Sequence, residues 1–231
     1  MLRRGFILGL FGFICLATNS ALAEDIIRLN EEISDREFYR AVACFAEPKG
    51  KCRRPIVRWE KSRARDLRVA LARTEAGFPK QEVEWANEAL DDAIEEINAA
   101  GADVKLRRVA PRAKADINVY LLNVPVNAKL KNTRIREMDG RFLEQALVSF
   151  WYQNRSRHIY RAVIIMAPGE TTLHGYRSIM LEELVQSLGF SVDIEGFAYE
   201  FGSIFSQTRN ARRDLGKQDK AALRQHYPLS R

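Results

Sequence analysis

The residues most able to do chemistry fall in one short stretch, Leu181–Phe190 (LEELVQSLGF). On a helix, Leu181, Leu184, Val185 and Leu188 share one apolar face. Glu182 and Gln186 stand one turn apart at i, i+4, with Glu183 beside them and Gly189 ending the helix. Their polar ends can converge on a common point, and Asp193 follows within reach. Carboxylates grouped in a cleft suit a hard cation, or acid/base work on a glycan. Two plainer readings compete. The polar residues could form a solvated face, or Gln186 and one glutamate could bond the backbone of the Ser191–Gly202 loop and fix it.

The elements around this stretch read as one α+β domain. Helical spacing is clearest over Lys80–Ala99, where Val83, Ala86, Leu90, Ala93, Ile94 and Ile97 make a stripe that Gly101 stops. A shorter helix is expected over Asp35–Ala46 with Asp35 as its N-cap. Strand-like segments are Pro55–Trp59, Leu67–Ala72, Val104–Val109, Ile117–Leu122, Ala146–Tyr152 and Ile159–Met166. The last two are expected to pair across Asn154-Arg155-Ser156-Arg157. Pro168-Gly169 breaks the chain before a helix from about Thr172 to Leu188 that carries the polar cluster. An irregular stretch follows, then a closing helix over Gln218–His226, stopped at Pro228. Ala146–Tyr152 (ALVSFWY) carries three successive aromatic residues, Phe150, Trp151 and Tyr152. Alternation sends Phe150 and Tyr152 to one face and Trp151 to the other, so either core packing or one exposed aromatic at a cleft rim is expected.

Composition narrows the setting. The chain has 46% hydrophobic and 29% charged residues, an ordinary globular balance, and a net charge of +7. Basic knots at Lys49–Arg54, Lys61–Arg68, Asn154–Arg157 and Arg209–Arg213 lack the interleaved aromatics of a nucleic-acid surface, so no nucleic-acid partner is expected. The N-terminus has the three parts of a cleavable export signal: Arg3 and Arg4, the apolar run Gly5–Ala17, and the small-residue site Ala21-Leu22-Ala23. That run is shorter than the roughly 20 residues a membrane span needs. Ile14 before Cys15 is too large for lipoprotein processing. Cleavage after Ala23 is expected, leaving a single periplasmic or secreted domain over 24–231 with no transmembrane segment. Cys44 and Cys52 remain, and an even count in an exported domain favours a disulfide within a 24–53 extension.

The cluster also carries a resemblance. Leu181–Phe190 resembles the active-site helix of the zincin metallopeptidases, His-Glu-x-x-His-x-x-Gly, with Glu182 at the first histidine place and Gln186 at the second. Glu183 matches the general-base glutamate and Gly189 the glycine. Lys80–Ala99 resembles the first zincin helix, Ser203-Ile204-Phe205 the methionine turn, and Gln218–Tyr227 the closing helix of matrixin-type peptidases. More closely, Glu-Glu-Leu-x-Gln-x-Leu-Gly with Asp193 and Ser203-Ile204-Phe205 is similar to a bacterial family of exported proteins and lipoproteins of unknown function, over about Arg54–Tyr227. The resemblance implies a zincin-like mixed sheet, a long first helix, a degenerate active-site helix and a short C-terminal helix. It also implies that Ala146–Tyr152 matches the edge strand before the motif helix, which in zincins takes an extended peptide through unpaired backbone groups. The departures set the chemistry. His158, His174 and His226 are the chain's histidines, and none has zinc spacing. A carboxylate, an amide and a displaced aspartate are poor zinc ligands, and without the metal Glu183 has no activated water to deprotonate. No metal or other cofactor is expected. The expected function is a non-hydrolytic peptide- or protein-binding envelope factor. The alternatives are a peptidase or glycan-acting hydrolase using Glu183 with Glu182 or Asp193, and a purely structural subunit of an envelope assembly.

Overall fold

The structure is a computed structural model that describes residues 25–208 and 211–229. The leader read over residues 1–23 lies outside the described residues. In chain order the elements are β1 (Asp25–Arg28), α1 (Asp35–Cys44), β2 (Arg58–Trp59), α2 (Lys61–Ala64), β3 (Leu67–Thr74), α3 (Lys80–Ala99), β4 (Leu106–Arg108) and β5 (Ile117–Leu121). There follow β6 (Ala128–Lys129), β7 (Phe142–Leu143), β8 (Ala146–Tyr152), β9 (His158–Met166), α4 (Leu173–Gln186), β10 (Val192–Glu195) and α5 (Lys217–His226).

This is an α+β fold built on a mixed sheet. Strands β4, β3, β5 and β9 run side by side in parallel, and β2 joins the start of β9. Strand β8 turns back antiparallel on the other side of β9, through the expected hairpin. Alternation gives the sheet two faces. Ile117, Val119, Ala162, Ile164, Val148 and Phe150 face the main core, with α3 and α4 over them. Val163, Ile165, Leu147 and Trp151 face a second core. It is closed by Leu130, Ile135, Met138 and Leu143 from the long excursion between β5 and β8.

The long helix α3 spans the residues its stripe predicts, and its buried side chains are Ala86, Ala89, Leu90, Ala93, Ile94 and Ile97. Truncating a fully buried leucine such as Leu90 to Ala costs roughly 2–5 kcal/mol. Glu82 near its start ties it to α4, accepting the Tyr176 hydroxyl at 2.7 Å and the Gly169 N–H at 2.8 Å.

The N-terminal part is more ordered than its sequence suggests. Helix α1 is capped by Ser34 rather than Asp35, because Ser34 Oγ reaches the Glu37 N–H at 3.4 Å. Its buried face of Phe38, Ala41 and Val42 belongs to the main core. Cys44 and Cys52 form the expected disulfide, with Cα atoms 5.1 Å apart. Closing so short a loop is worth about 2.5 kcal/mol in the chain-entropy account. The stretch after Gly189 is not wholly irregular either. Its Val192–Glu195 segment is β10, which pairs in parallel with β1, Ile26 lying opposite Asp193.

Candidate functional site

Helix α4 begins at an N-cap, Thr172, whose Oγ1 accepts the Gly175 N–H at 3.0 Å. It lies against α3 and β8, so it buries more than one face. Tyr176, Met180, Leu181, Leu184 and Val185 are in the core. Glu183 and Gln186 are buried too, at 9% and 8% exposure, while Glu182 is half-buried. A solvated polar face is therefore the wrong description of these two residues. Gly189 closes the segment at φ +115°, and a Cβ there would stand 2.2 Å from the Val57 carbonyl oxygen. No side chain fits that position, which explains the glycine.

Gln186 Nε2 donates to Asp193 Oδ1 at 2.8 Å, and Asp193 is 5% exposed. The structure thus joins two of the residues singled out in the sequence, across the turn between α4 and β10. The Gln186 amide is thus engaged with Asp193. Among the described residues no group of three His, Cys, Asp or Glu is placed to hold a metal ion. The donor set does not fit zinc, and Glu182, Glu183 and Asp193 do not make a cation cage.

Beyond β10, the Ser203-Ile204-Phe205 turn packs beneath the motif. The Phe205 ring sits 5.6 Å from Phe190 and 6.1 Å from Phe38. The turn is held by Asp219 of α5, a residue that in the sequence marks only the acidic start of a helix. Asp219 accepts from Ser203 Oγ at 2.6 Å, Ile204 N–H at 3.0 Å and Gly216 N–H at 2.8 Å. Burial pushes its pKa upward, and those three bonds oppose the shift.

His226, at the end of α5, has no metal-ligand spacing in the sequence. It is fully buried against Phe190, with ring centroids 4.5 Å apart, and its Nδ1 lies 3.3 Å from Tyr39 Oη. A Cβ on Gly189 would come within 3.0 Å of its Nε2. Burial, followed by the nearby Arg58 charge, pushes the imidazole pKa down to about 3, so it is neutral across the ordinary range. Only contact with the motif glycine reveals this residue; nothing in its sequence spacing does.

Strand β8 pairs with β9, and no further strand joins its other side among the described residues. The Ala167 N–H donates to the Gln145 carbonyl at 2.9 Å, which sets the ladder phase. The main-chain groups of Ala146, Val148 and Phe150 therefore point away from β9. Its aromatic residues do not form an exposed rim: Phe150 is 3% and Trp151 6% exposed, and Tyr152 is half-buried. The outer side of β8 is unpaired by any strand among the described residues, while Leu147–Trp151 are buried and Ala146 and Tyr152 half-buried.

A family model described as "Protein of unknown function (DUF2927)" matches residues 31–229, and the chain belongs to that family. A search of curated proteins finds no match.

Proposed function

We propose that this protein is an exported envelope factor that binds extended peptide or protein segments without hydrolysing them, on a degenerate zincin-like scaffold. The observation that carries the reading is the position of β8. It is an antiparallel edge strand with outward main-chain groups, it leads through β9 into α4, and it packs against that helix. Added strands gain affinity from main-chain hydrogen bonds, which need no exposed aromatic.

Support for the zincin-like scaffold comes from the long helix α3, the edge strand before the motif helix, and the Ser203–Phe205 turn held under that helix by α5. Support for the loss of hydrolysis comes from the donor set. Gln186 is bonded to Asp193, and an amide and carboxylates in place of imidazoles make a poor zinc-binding set beside Glu183. Export rests on the leader.

Selection of a randomised peptide library on the immobilised protein tests the reading. Enriched peptides are expected to bind wild type and Glu183→Gln with equal affinity and to keep their mass after long incubation. Cleavage by wild type that Glu183→Gln abolishes would establish the hydrolase instead.

A further inference from the structure

The parallel strands β2, β3, β4, β5 and β9 all begin at one end of the sheet, and the β8–β9 turn closes at the same end. Three basic segments far apart in the chain are thereby brought together. They are 54–68, which runs through β2 and α2 into β3, 103–116, which holds β4 and leads into β5, and the turn 154–157. They contain thirteen Lys and Arg against four Asp and Glu, a surplus of nine positive charges. The whole chain carries +7, so everything outside these segments is net negative by two. The opposite end, where β3, β5 and β9 finish and β8 starts, carries Glu75, Glu82, Glu144 and Glu170.

At the basic end most carboxylates are already engaged. Buried Asp116 accepts from Arg63 and, at 3.2 Å, from Arg68 Nε. Arg65 pairs with Asp103 and Arg107 with Asp66, both at 2.8 Å. Lys61, Arg112, Lys114, Arg155 and Arg157 are exposed, and none pairs with a carboxylate among the described residues. These five stand on separate turns. Neighbouring strands are about 4.8 Å apart, so this end is roughly 20 Å wide from β8 to β4.

Shape says what such an array fits. The depression at this end is lined by Glu60, Asp66 and Asp116 beside Ser62, Arg63 and Arg68. It offers three carboxylates against two guanidiniums already bonded to one of them, so it is no cradle for a small anion or a single anionic chain. The unpaired cations are reached from outside, by a partner broad enough to meet several turns at once. We propose that this end of the sheet docks on the anionic phosphate headgroups of a bilayer surface, held by charge rather than by insertion. Other orientations present the net-negative remainder of the chain, so only approach by this end is attractive. The inference uses neither the outer side of β8 nor the motif residues.

Flotation of the full chain with phosphatidylcholine vesicles, with and without added phosphatidylglycerol, is the test. Binding to phosphatidylcholine alone is subtracted as common to every variant. Phosphatidylglycerol is expected to raise binding, and about 0.5 M salt to abolish the gain. Combining Lys61→Ser, Arg155→Ser and Arg157→Ser should cut the gain roughly 100-fold, about fivefold for each cation near the surface. Combining Lys80→Ser, Lys129→Ser and Lys131→Ser, outside the three segments, should leave it unchanged. All six side chains are exposed, so both triple variants fold. Equal losses in the two would reduce the effect to net charge and overturn the proposal. So would a gain that salt leaves intact. Binding to soluble polyglutamate or duplex DNA that matches the vesicles at equal salt would also overturn it, marking an acidic-protein or nucleic-acid surface.

Discussion

Two buried carboxylates flank the motif helix, and they do different work. Asp219 gathers two main-chain N–H groups and a serine hydroxyl, fixing the turn beneath the helix to α5. Asp193 takes a side-chain amide from Gln186 on the helix itself, and its strand is paired with the N-terminal β1. The first arrangement satisfies backbone groups that would otherwise be buried at full cost, so it belongs to the fold. The second joins two side chains across the turn between α4 and β10, and under the proposed zincin-like reading it stands where metal ligands would be.

The largest expected effect is acid-induced and comes from His226, which packs on the Gly189 turn and Phe190. Its folded pKa lies below the unfolded value, so the unfolded state binds more protons below about pH 6.5 and stability falls with pH from there towards about pH 3. Linkage puts the total near 5 kcal/mol. Asp219, with its pKa raised, works in the opposite sense, losing stability as pH rises through its folded pKa. Denaturant melts across this range should show a steep acid slope in wild type and a flattened one in His226→Phe.

Asp219→Ala comes next, with a loss of about 3–4 kcal/mol, because three donors lose their acceptor at once. Urea unfolding measures it directly, and a loss below 1 kcal/mol would erase the contrast with Asp193. Gly189→Ala should cost about 2–3 kcal/mol in the same assay, since its φ and the Val57 carbonyl both oppose a side chain. Gln186→Leu should cost only about 1 kcal/mol, one hydrogen bond partly offset by apolar packing. If Gln186→Leu proves as damaging as Asp219→Ala, the motif pair is a structural lock rather than the remnant of a site.

The parts legible in the sequence were those governed by local pattern. The α3 stripe, the β8–β9 hairpin and the Cys44–Cys52 pair all follow from periodicity or residue count. The β1–β10 pair was not legible, because Asp25–Arg28 and Val192–Glu195 are four-residue strands far apart in the chain, and each reads as loop until the other is beside it. The second core was missed for a similar reason. The chain between β5 and β8 alternates poorly, and its apolar residues gain meaning only against the far face of the sheet. At the site, the motif residues are legible in the sequence, but their burial depends on α4 packing against both α3 and β8. The roles of Asp219 and His226 arise from contacts across the fold that no spacing announces.

Amide hydrogen exchange along β8 tests the central claim most directly. With a library-selected peptide bound, the N–H groups of Ala146, Val148 and Phe150 should slow markedly, because each gains an acceptor from the added strand. The inward N–H groups of Leu147 and Ser149 should change little, since the β9 ladder already holds them. Tight peptide binding that leaves exchange at Ala146, Val148 and Phe150 unchanged would contradict the account.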